Sequence, residues 1–128
     1  MWFFGGRSRY MPRYTILTHD HPFWHWDFLL DPGQEEPLWT WRIHSAPDQP
    51  GQLVAERLPD HRRAYLDYEG PVSQGRGKVS RWDSGEYFVI ASPEGTQRFR
   101  CVGEKLRGEI QLRVYQGKPG SYEYRAEG

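Results

Sequence analysis

Short stretches of alternating apolar and polar residues, separated by glycine and proline, constrain the fold of this chain more than any other feature. Its 128 residues include 14 glycines and 10 prolines, a composition that favours many turns and few long helices. Six tryptophans and eight tyrosines suit half-buried strands. The sequence therefore predicts a mainly β fold, a small closed or nearly closed antiparallel β-barrel with one or two short flanking helices.

The strands and the helix can be placed from the same patterns. A short helical turn is predicted at Leu58–Tyr65, with Pro59 in its first turn, and a β-turn at residues 83–85. The predicted strands are Arg13–Thr18, Phe23–Leu30, Leu38–Ile43, Leu53–Arg57, Val79–Trp82, Tyr87–Ile90, Arg98–Val102, Glu109–Tyr115 and Tyr122–Tyr124.

Length and cysteine usage indicate one domain in a reducing compartment. We expect residues 1–12 to be a flexible N-terminal extension, with Met11 as an alternative start to Met1, and residues 13–128 to form a single domain. Cys101 is the sole cysteine, so no disulfide can form within the chain and a cytoplasmic location is expected. No stretch approaches the apolar length of a membrane span, so we expect no membrane partner.

The charge balance limits the classes of partner. The 17 basic residues equal the 17 acidic ones, which argues against a strong non-specific DNA binder without excluding a nucleic-acid substrate. Most basic residues are arginine, which suits bidentate contacts to phosphate or carboxylate.

The histidines are concentrated between residues 19 and 61. Because strand side chains alternate between two faces, His25 and Asp27 share one face of the second predicted strand. His19 precedes Pro22, which allows the chain to fold back and bring this third side chain close. Two imidazoles and a carboxylate suit Mn²⁺ or Zn²⁺, and the simpler interpretation is a hydrogen-bonded His25–Asp27 pair. Other catalytic patterns are weak, and Cys101 fits a core strand.

Several motifs in the same order resemble the 3′-phosphoesterase domain family of bacterial DNA ligase D. The family signature His-Asp followed by His-Tyr-Asp-Phe resembles His19-Asp20 and His25-Trp26-Asp27-Phe28. Further resemblances, spread from about Arg13 to Tyr115, are Trp41-Arg42-Ile43, Asp60-His61 with Tyr65, Gly75-x-Gly77-x-Val79, Trp82-Asp83-x-Gly85 and Gly103-Glu104-Lys105-Leu106-Arg107-Gly108.

This resemblance implies a stand-alone, divergent β-barrel that removes a 3′-phosphate or 3′-ribonucleoside from DNA ends in repair with Mn²⁺, or with Zn²⁺ or another divalent metal. Its partners would be DNA or RNA-terminated DNA 3′ ends and a repair ligase or polymerase. By position, His19, His25 and Asp27 would be metal ligands, and His61 and Tyr65 would contact the scissile phosphate. Candidate phosphate-binding residues are Arg42, Arg62 and Arg76.

The chain departs from the family pattern around the phosphate. An arginine of the family is replaced by Leu29 and a glutamine by Leu17; further departures are Ser45, Leu53 and Pro59. Three hypotheses follow. New cations (Arg42, Arg62, Arg63 or Arg76) replace the lost ones, the barrel acts on another phosphoester, or a catalytically degenerate metal-binding barrel serves as a nucleic-acid or protein binding module.

The remaining aromatic and histidine residues have simpler interpretations. Trp24, Trp26 and Phe28 are expected to pack in the barrel, as are Trp39 and Trp41. The alternative, a platform for stacking bases, requires exposed rings. His21 is expected to face solvent in a turn, and Arg62 and Arg63 to form a solvated face.

Overall fold

Nine antiparallel strands and one short helix make up the part of the chain that the computed structural model describes, which is residues 12–33, 36–115 and 118–128. The helix is a 3₁₀ segment, Arg63–Leu66. The strands are β1 (Arg13–His19), β2 (His25–Leu30), β3 (Leu38–Ile43), β4 (Gln52–His61), β5 (Gly70–Pro71), β6 (Lys78–Ala91), β7 (Thr96–Gly103), β8 (Arg107–Tyr115) and β9 (Lys118–Ala126).

The strands are joined in a closed ring. Their order is β1-β2-β3-β4-β9-β8-β7-β6, and β1 also pairs with β6, so the last strand returns to the first. The two-residue strand β5 pairs with the beginning of β6. The predicted mainly β, closed antiparallel architecture is confirmed. Within the described residues, no helix is long and apolar enough to cross a bilayer.

Both faces of β1 and β2 are buried, and each face contributes to a different cluster. Tyr14 and Ile16 of β1 face the main core, together with Phe28 and Leu30 of β2. The rings of Tyr14 and Phe28 stack with their centroids 5.5 Å apart. The opposite face carries a smaller apolar cluster of Leu17, Leu29, Leu38, Leu66 and Val79. The 3₁₀ helix packs over this second face, where the Thr15 hydroxyl donates a hydrogen bond to the Leu66 carbonyl (2.8 Å).

The predicted packing of the aromatic residues is correct with one exception. Trp41 and Phe28 are buried, and Trp26 and Trp39 pack against the main core. The prediction is wrong for Trp24, which precedes β2 and exposes 58% of its surface. Strand β2 begins at His25, so the alternation that governs the later residues does not reach Trp24.

The turn predicted at Asp83–Gly85 is wrong, because β6 runs without interruption from Lys78 to Ala91. Asp83 is buried there, and its carboxylate accepts hydrogen bonds from the Tyr14 hydroxyl (2.7 Å) and from three backbone N–H groups of residues 104–106 (3.0–3.1 Å). A Cβ at Gly103 would lie 1.9 Å from the Tyr14 hydroxyl. The carboxylate therefore holds the turn between β7 and β8, and glycine is required where that turn meets it.

The helical turn predicted at Leu58–Tyr65 is also displaced. Strand β4 extends to His61, which pairs with Leu38, and the helix begins only at Arg63. The register between β3 and β4 shifts between Leu38 and Thr40, so a bulge accommodates Pro59 within the strand. Proline cannot donate a ladder hydrogen bond, and bulges are where strands tolerate it.

An ion pair fastens the 3₁₀ helix to the turn after β2. The Arg63 guanidinium donates to both oxygens of the buried Asp31 carboxylate at 2.7 Å, and also to the Gly33 and Glu36 carbonyls. Arg63 is among the cations that the sequence offers for phosphate binding, but in the structure it binds Asp31 and stabilises the fold. Burial would raise the pKa of Asp31, but the hydrogen bonds and charge of Arg63 outweigh it and lower the pKa.

We expect Asp83→Ala to lower the free energy of unfolding by about 3 kcal/mol or more, since each buried donor left unpaired costs about 1–3 kcal/mol. Urea denaturation would measure the change, with exposed Glu94→Ala as the control. Equal stability of the two variants would mean that the carboxylate does not hold the β7–β8 turn.

Asp31→Asn should destabilise the fold by about 2 kcal/mol at pH 7, a value discounted because the Arg63 side chain is 35% exposed. Since the folded-state pKa of Asp31 is lowered, its contribution is complete above the unfolded-state pKa of about 4 and is lost as pH falls through the folded-state pKa. Urea denaturation of wild type and variant at several pH values should therefore show the difference shrinking below pH 4. A difference independent of pH would contradict the role of this ion pair.

Candidate metal centre

His19, His25 and Asp27 converge at one end of the β1–β2 hairpin. His19 ends β1 and pairs with His25 at the start of β2, while Asp27 pairs with Leu17. All three side chains lie on the face opposite the main core. One potential ligand atom from each lies within 4.8 Å of the others, with His25 and Asp27 buried and His19 half-buried. The structure thus brings together the three residues that the sequence predicts as metal ligands.

The hydrogen bonds of His25 define which of its nitrogens is available to a metal. Its Nδ1 donates to the Phe23 carbonyl (2.8 Å), so in the neutral ring Nε2 carries a lone pair. That Nε2 lies 3.0 Å from Asp27 Oδ1 without the alignment of a hydrogen bond. Within the described residues, neither atom has a hydrogen-bond partner although both are buried. Two buried lone-pair atoms at this separation suit a cation that both can coordinate.

His19 faces the carboxylate of Asp27 with its Nδ1. Its Nε2 donates to the Arg76 carbonyl (2.8 Å), and its Nδ1 lies 3.2 Å from Asp27 Oδ2. In a neutral ring this Nδ1 has a lone pair facing the carboxylate, so a proton or a metal cation must relieve the repulsion. The hydrogen bond with Asp27 raises the pKa of His19, burial lowers it, and the Arg76 carbonyl adds to the rise.

Asp27 remains ionised in this environment. Burial by itself would raise the pKa of its carboxyl, but the hydrogen bond from His19 and the adjacent His25 imidazole outweigh burial and hold the pKa at about 2. A carboxylate that is ionised at neutral pH, between two imidazoles, is a ligand set that fits Mn²⁺ or Zn²⁺. The backbone carbonyls of Phe23 and Arg76 orient both rings as outer-shell partners.

The triad opens into a cleft of about 580 Å³, and every residue predicted for the site lines this cleft. The predicted residues are the three metal ligands, the pair His61 and Tyr65, and the three arginines Arg42, Arg62 and Arg76. Strands β1–β4, the 3₁₀ helix and the loop before β6 each contribute to the walls. His21 lies in the bend between β1 and β2 and also lines the cleft, where it is half-buried.

His61 and Tyr65 meet at the wall of the cleft, although not in one helix as predicted. His61 ends β4, Tyr65 lies in the 3₁₀ helix, and their rings pack edge to face with centroids 5.8 Å apart. His61 Nδ1 donates to the Pro59 carbonyl (3.1 Å). This hydrogen bond orients the ring and leaves Nε2 as the nitrogen that can exchange a proton with a ligand.

Three arginines line the cleft without a carboxylate partner. The Arg42 guanidinium lies 5.3 Å from the centre of the Phe23 ring, and that of Arg62 lies 5.9 Å from the Tyr65 ring. Arg76 donates to the Ser73 carbonyl and hydroxyl. Ion pairs between described residues include none of the three. Their positive charge is therefore available to an anionic ligand.

The loop carrying Arg76 is positioned by a residue that the sequence did not mark as functional. Asp20 accepts a hydrogen bond from the Lys78 N–H (2.8 Å), and a Cβ at Gly77 would lie 2.1 Å from that carboxylate oxygen. Gly77 has a positive φ of 73°. This contact draws the loop against the turn after β1, so that the Arg76 carbonyl reaches His19. Asp20 belongs to the His19-Asp20 pair that resembles the family signature, but the sequence by itself predicts no role for it.

The two leucines that depart from the family pattern lie together beneath the metal triad. Leu17 and Leu29 are both buried in the smaller apolar cluster, and Leu17 also forms part of the cleft wall. Leu29 follows Asp27 on the same face of β2. The structure therefore places apolar surface where the resemblance implies polar, phosphate-binding groups.

Comparison with known proteins identifies relatives of this chain. The family model described as the DNA Ligase D 3′-phosphoesterase domain matches residues 17–113. The multifunctional non-homologous end joining protein LigD of Pseudomonas aeruginosa is 33% identical over 110 residues. That alignment covers 78% of this chain and 13% of the relative, so the chain spans only a small part of that protein.

We expect His25→Ala to weaken Mn²⁺ binding by at least about 100-fold, since loss of a direct ligand should exceed the 10- to 100-fold effect of losing an outer-shell partner. Isothermal titration calorimetry of the purified protein would measure this, with His44→Ala as the control because that imidazole pairs with Glu56 instead. Unchanged affinity in His25→Ala, with a native melting curve, would exclude this triad as the metal centre.

Proposed function

This chain belongs to the DNA ligase D 3′-phosphoesterase domain family, and on that premise we propose that it is a metal-dependent phosphoesterase acting on the 3′ ends of DNA. The reaction would remove a 3′-phosphate or a 3′-ribonucleoside, with Mn²⁺ as the metal and Zn²⁺ or another divalent ion as alternatives. The observation that carries this proposal is that the candidate metal triad, the His61–Tyr65 pair and three arginines line one cleft, and that these arginines have no carboxylate partner among the described residues.

The residues of the cleft would have different roles in phosphoester hydrolysis. A divalent cation held by His19, His25 and Asp27 would polarise a phosphoryl oxygen and lower the pKa of a coordinated water. His61, with Nδ1 engaged by a carbonyl, would use Nε2 to protonate the leaving oxygen as its bond to phosphorus breaks. The Tyr65 hydroxyl would donate a hydrogen bond to a phosphate oxygen.

The arginines of the cleft support the hypothesis that new cations replace those lost at the family positions. Arg42 lies on β3 directly opposite Asp27 in the β2–β3 register, one strand away from Leu29. A charge-assisted hydrogen bond to phosphate contributes about 1.5–3 kcal/mol, so two such contacts would offset the absence of one bidentate arginine. We assign Arg42, Arg62 and Arg76 to phosphate binding.

One observation favours the competing hypothesis of a degenerate binding module. Leu17 and Leu29 lie in the smaller apolar cluster on the same face as the triad, so neither position supplies a cationic side chain to a phosphate. A protein of that kind would bind metal and nucleic acid or protein without turnover. Turnover therefore separates the two hypotheses better than affinity does.

The cellular context follows from the same premise. The relative that matches this chain is named for non-homologous end joining, and we propose DNA 3′ ends as substrates and a repair ligase or polymerase as the functional partner. Cys101 is buried and forms no disulfide, which is consistent with a protein located in the reducing cytoplasm.

The test is hydrolysis of primer–templates that end in a 3′-phosphate or in one 3′-ribonucleotide, with Mn²⁺ and with EDTA. We expect turnover that EDTA abolishes, and a loss of at least about 100-fold in His25→Ala and His61→Ala, since general acid–base catalysis alone contributes 10²–10⁴-fold. His44→Ala should retain activity. Absence of turnover on both ends, with intact folding and Mn²⁺ binding, would exclude the phosphoesterase and favour the binding module.

A further inference from the structure

A side chain extends the pairing of β1 with β6 beyond the end of their backbone ladder. The ladder ends where His19 pairs with Val79. One residue further along β1, the Asp20 carboxylate accepts a hydrogen bond from the Lys78 N–H (2.8 Å). Asp20 therefore binds the first residue of β6, directly after the loop of residues 72–77.

This loop packs closely against the residues that follow β1. The Val72 N–H donates a hydrogen bond to the Gly77 carbonyl (2.8 Å), which closes the loop. A Cβ at Gly77 would lie 2.1 Å from Asp20 Oδ1 and 2.8 Å from the Cβ of His21. The φ angle of Gly77 is 73°, in the region that favours glycine. Glycine at this position therefore allows the loop to approach the Asp20 carboxylate.

The close approach of the loop brings Arg76 to the metal centre. The backbone carbonyl of Arg76 accepts a hydrogen bond from His19 Nε2 (2.8 Å). The side chain of Arg76 is hydrogen-bonded to Ser73, and Arg76 also lines the cleft. Because Arg76 directly precedes Gly77, a displacement of the loop at Gly77 would move this carbonyl away from His19.

The Arg76 carbonyl affects which nitrogen His19 can offer to a metal. A neutral imidazole has one N–H, and two acceptors compete for it in His19. The Arg76 carbonyl faces Nε2, and the Asp27 carboxylate lies 3.2 Å from Nδ1. With the proton on Nε2, the lone pair of Nδ1 can coordinate a cation beside Asp27. With the proton on Nδ1, that nitrogen pairs with Asp27 and has no lone pair to offer.

We propose that Asp20 is a positioning residue of the candidate metal centre, which holds the Arg76 carbonyl against His19 and thereby favours the tautomer with Nδ1 available to the metal. The inference rests on the metal centre of the proposed function and deepens it. Asp20 does not belong to the lining of the cleft, so it acts through the loop. Asp20 is also exposed, so replacing it removes no packing from the core.

The experiment uses the full chain without DNA. Isothermal titration calorimetry measures Mn²⁺ affinity, and ¹⁵N NMR measures the tautomer of His19 in the metal-free protein at alkaline pH, where the imidazole is neutral. Asp20→Ala should weaken Mn²⁺ binding about 10-fold, the lower end of the effect of losing an outer-shell partner. The fraction of His19 rings protonated at Nε2 should fall in the same variant.

Asp20→Asn separates the hydrogen bond from the charge of Asp20. The amide oxygen of asparagine can still accept the Lys78 N–H, so this variant should bind Mn²⁺ nearly as tightly as wild type. If the negative charge of Asp20 were responsible, Asp20→Asn would lose as much affinity as Asp20→Ala. Glu69→Ala is a matched control, because the exposed Glu69 carboxylate accepts a backbone N–H of β6, that of Arg81 (2.7 Å), and does not line the cleft. Its Mn²⁺ affinity should equal that of wild type.

Two glycines of the loop provide a second test that leaves Asp20 in place. Gly75 and Gly77 have similar positive φ angles, 67° and 73°, so alanine strains the backbone at both positions. A Cβ at Gly75 would contact nothing within 4 Å, whereas one at Gly77 would clash with Asp20. Gly77→Ala should therefore weaken Mn²⁺ binding and shift the His19 tautomer as Asp20→Ala does, and Gly75→Ala should change neither.

Wild-type Mn²⁺ affinity in Asp20→Ala would overturn the proposal, as would a loss of affinity with an unchanged His19 tautomer. If Asp20→Ala does not fold, the two glycine variants decide by the same measurements. The result is separable from that of the proposed function. Weakened Mn²⁺ binding in Asp20→Ala, without turnover by wild type on any 3′ end, would retain the positioning role and exclude the phosphoesterase. Turnover by wild type, with equal Mn²⁺ affinity in Asp20→Ala, would do the reverse.

Discussion

The pairing of β1 along both of its edges is the constraint on which the rest of this structure depends. With β2 on one side and β6 on the other, β1 closes the ring and cannot shift in register without breaking two ladders. Because the side chains of a strand alternate, one register places Tyr14 and Ile16 in the core and His19 opposite His25. A slip of one residue would bury the histidine in the core and expose the tyrosine. Core packing therefore positions the candidate metal centre.

Two carboxylates show how buried charge is used in different ways on the same scaffold. Asp83 is surrounded by donors, namely the Tyr14 hydroxyl and three backbone N–H groups, so its charge is satisfied and it stabilises a turn. Asp27 faces two imidazoles, one of which approaches without a hydrogen bond, so an oxygen remains without a partner among the described residues. The first arrangement is complete within the protein. The second leaves a ligand atom that a cation could take, which distinguishes an architectural carboxylate from a candidate metal ligand.

The motifs shared with the DNA ligase D family likewise fall into an architectural group and a group at the candidate metal centre. The segments around Asp83 and Gly103 meet at a close backbone contact. They stabilise the ring, and neither residue lines the cleft. The histidine motif and the glycine loop meet instead through Asp20, Gly77 and the Arg76 carbonyl, which orients His19. The cleft keeps the three candidate metal ligands, while Leu17 in its wall and the neighbouring Leu29 are apolar. The arginines on its walls, which form no ion pair with any described residue, give the site a different distribution of positive charge.

The strengths and errors of the sequence-based predictions have one physical origin, the range of the interactions involved. Period-two alternation identified the shared face of His25 and Asp27, and turn residues identified a ring of antiparallel strands, because both depend on neighbours in the chain. The same local rules predicted a turn at Asp83 and a helix at Pro59, because aspartate is typical of turns and proline is typical of helix starts. Asp83 lies in a strand, where its carboxylate accepts hydrogen bonds from a turn some twenty residues later. Pro59 lies in a strand because a β-bulge accommodates it.

The sequence by itself determined the mainly β class, the core alternation and the identity of the three candidate ligands. Only the tertiary structure decided which cations face the cleft, since Arg63 is bound by Asp31 while Arg42, Arg62 and Arg76 have no carboxylate partner among the described residues. Tertiary structure also decided that Trp24 is exposed, because the start of β2 depends on its pairing with β1. The residue type determines which ligands a side chain can bind. Long-range packing determines whether that side chain already has a partner within the protein.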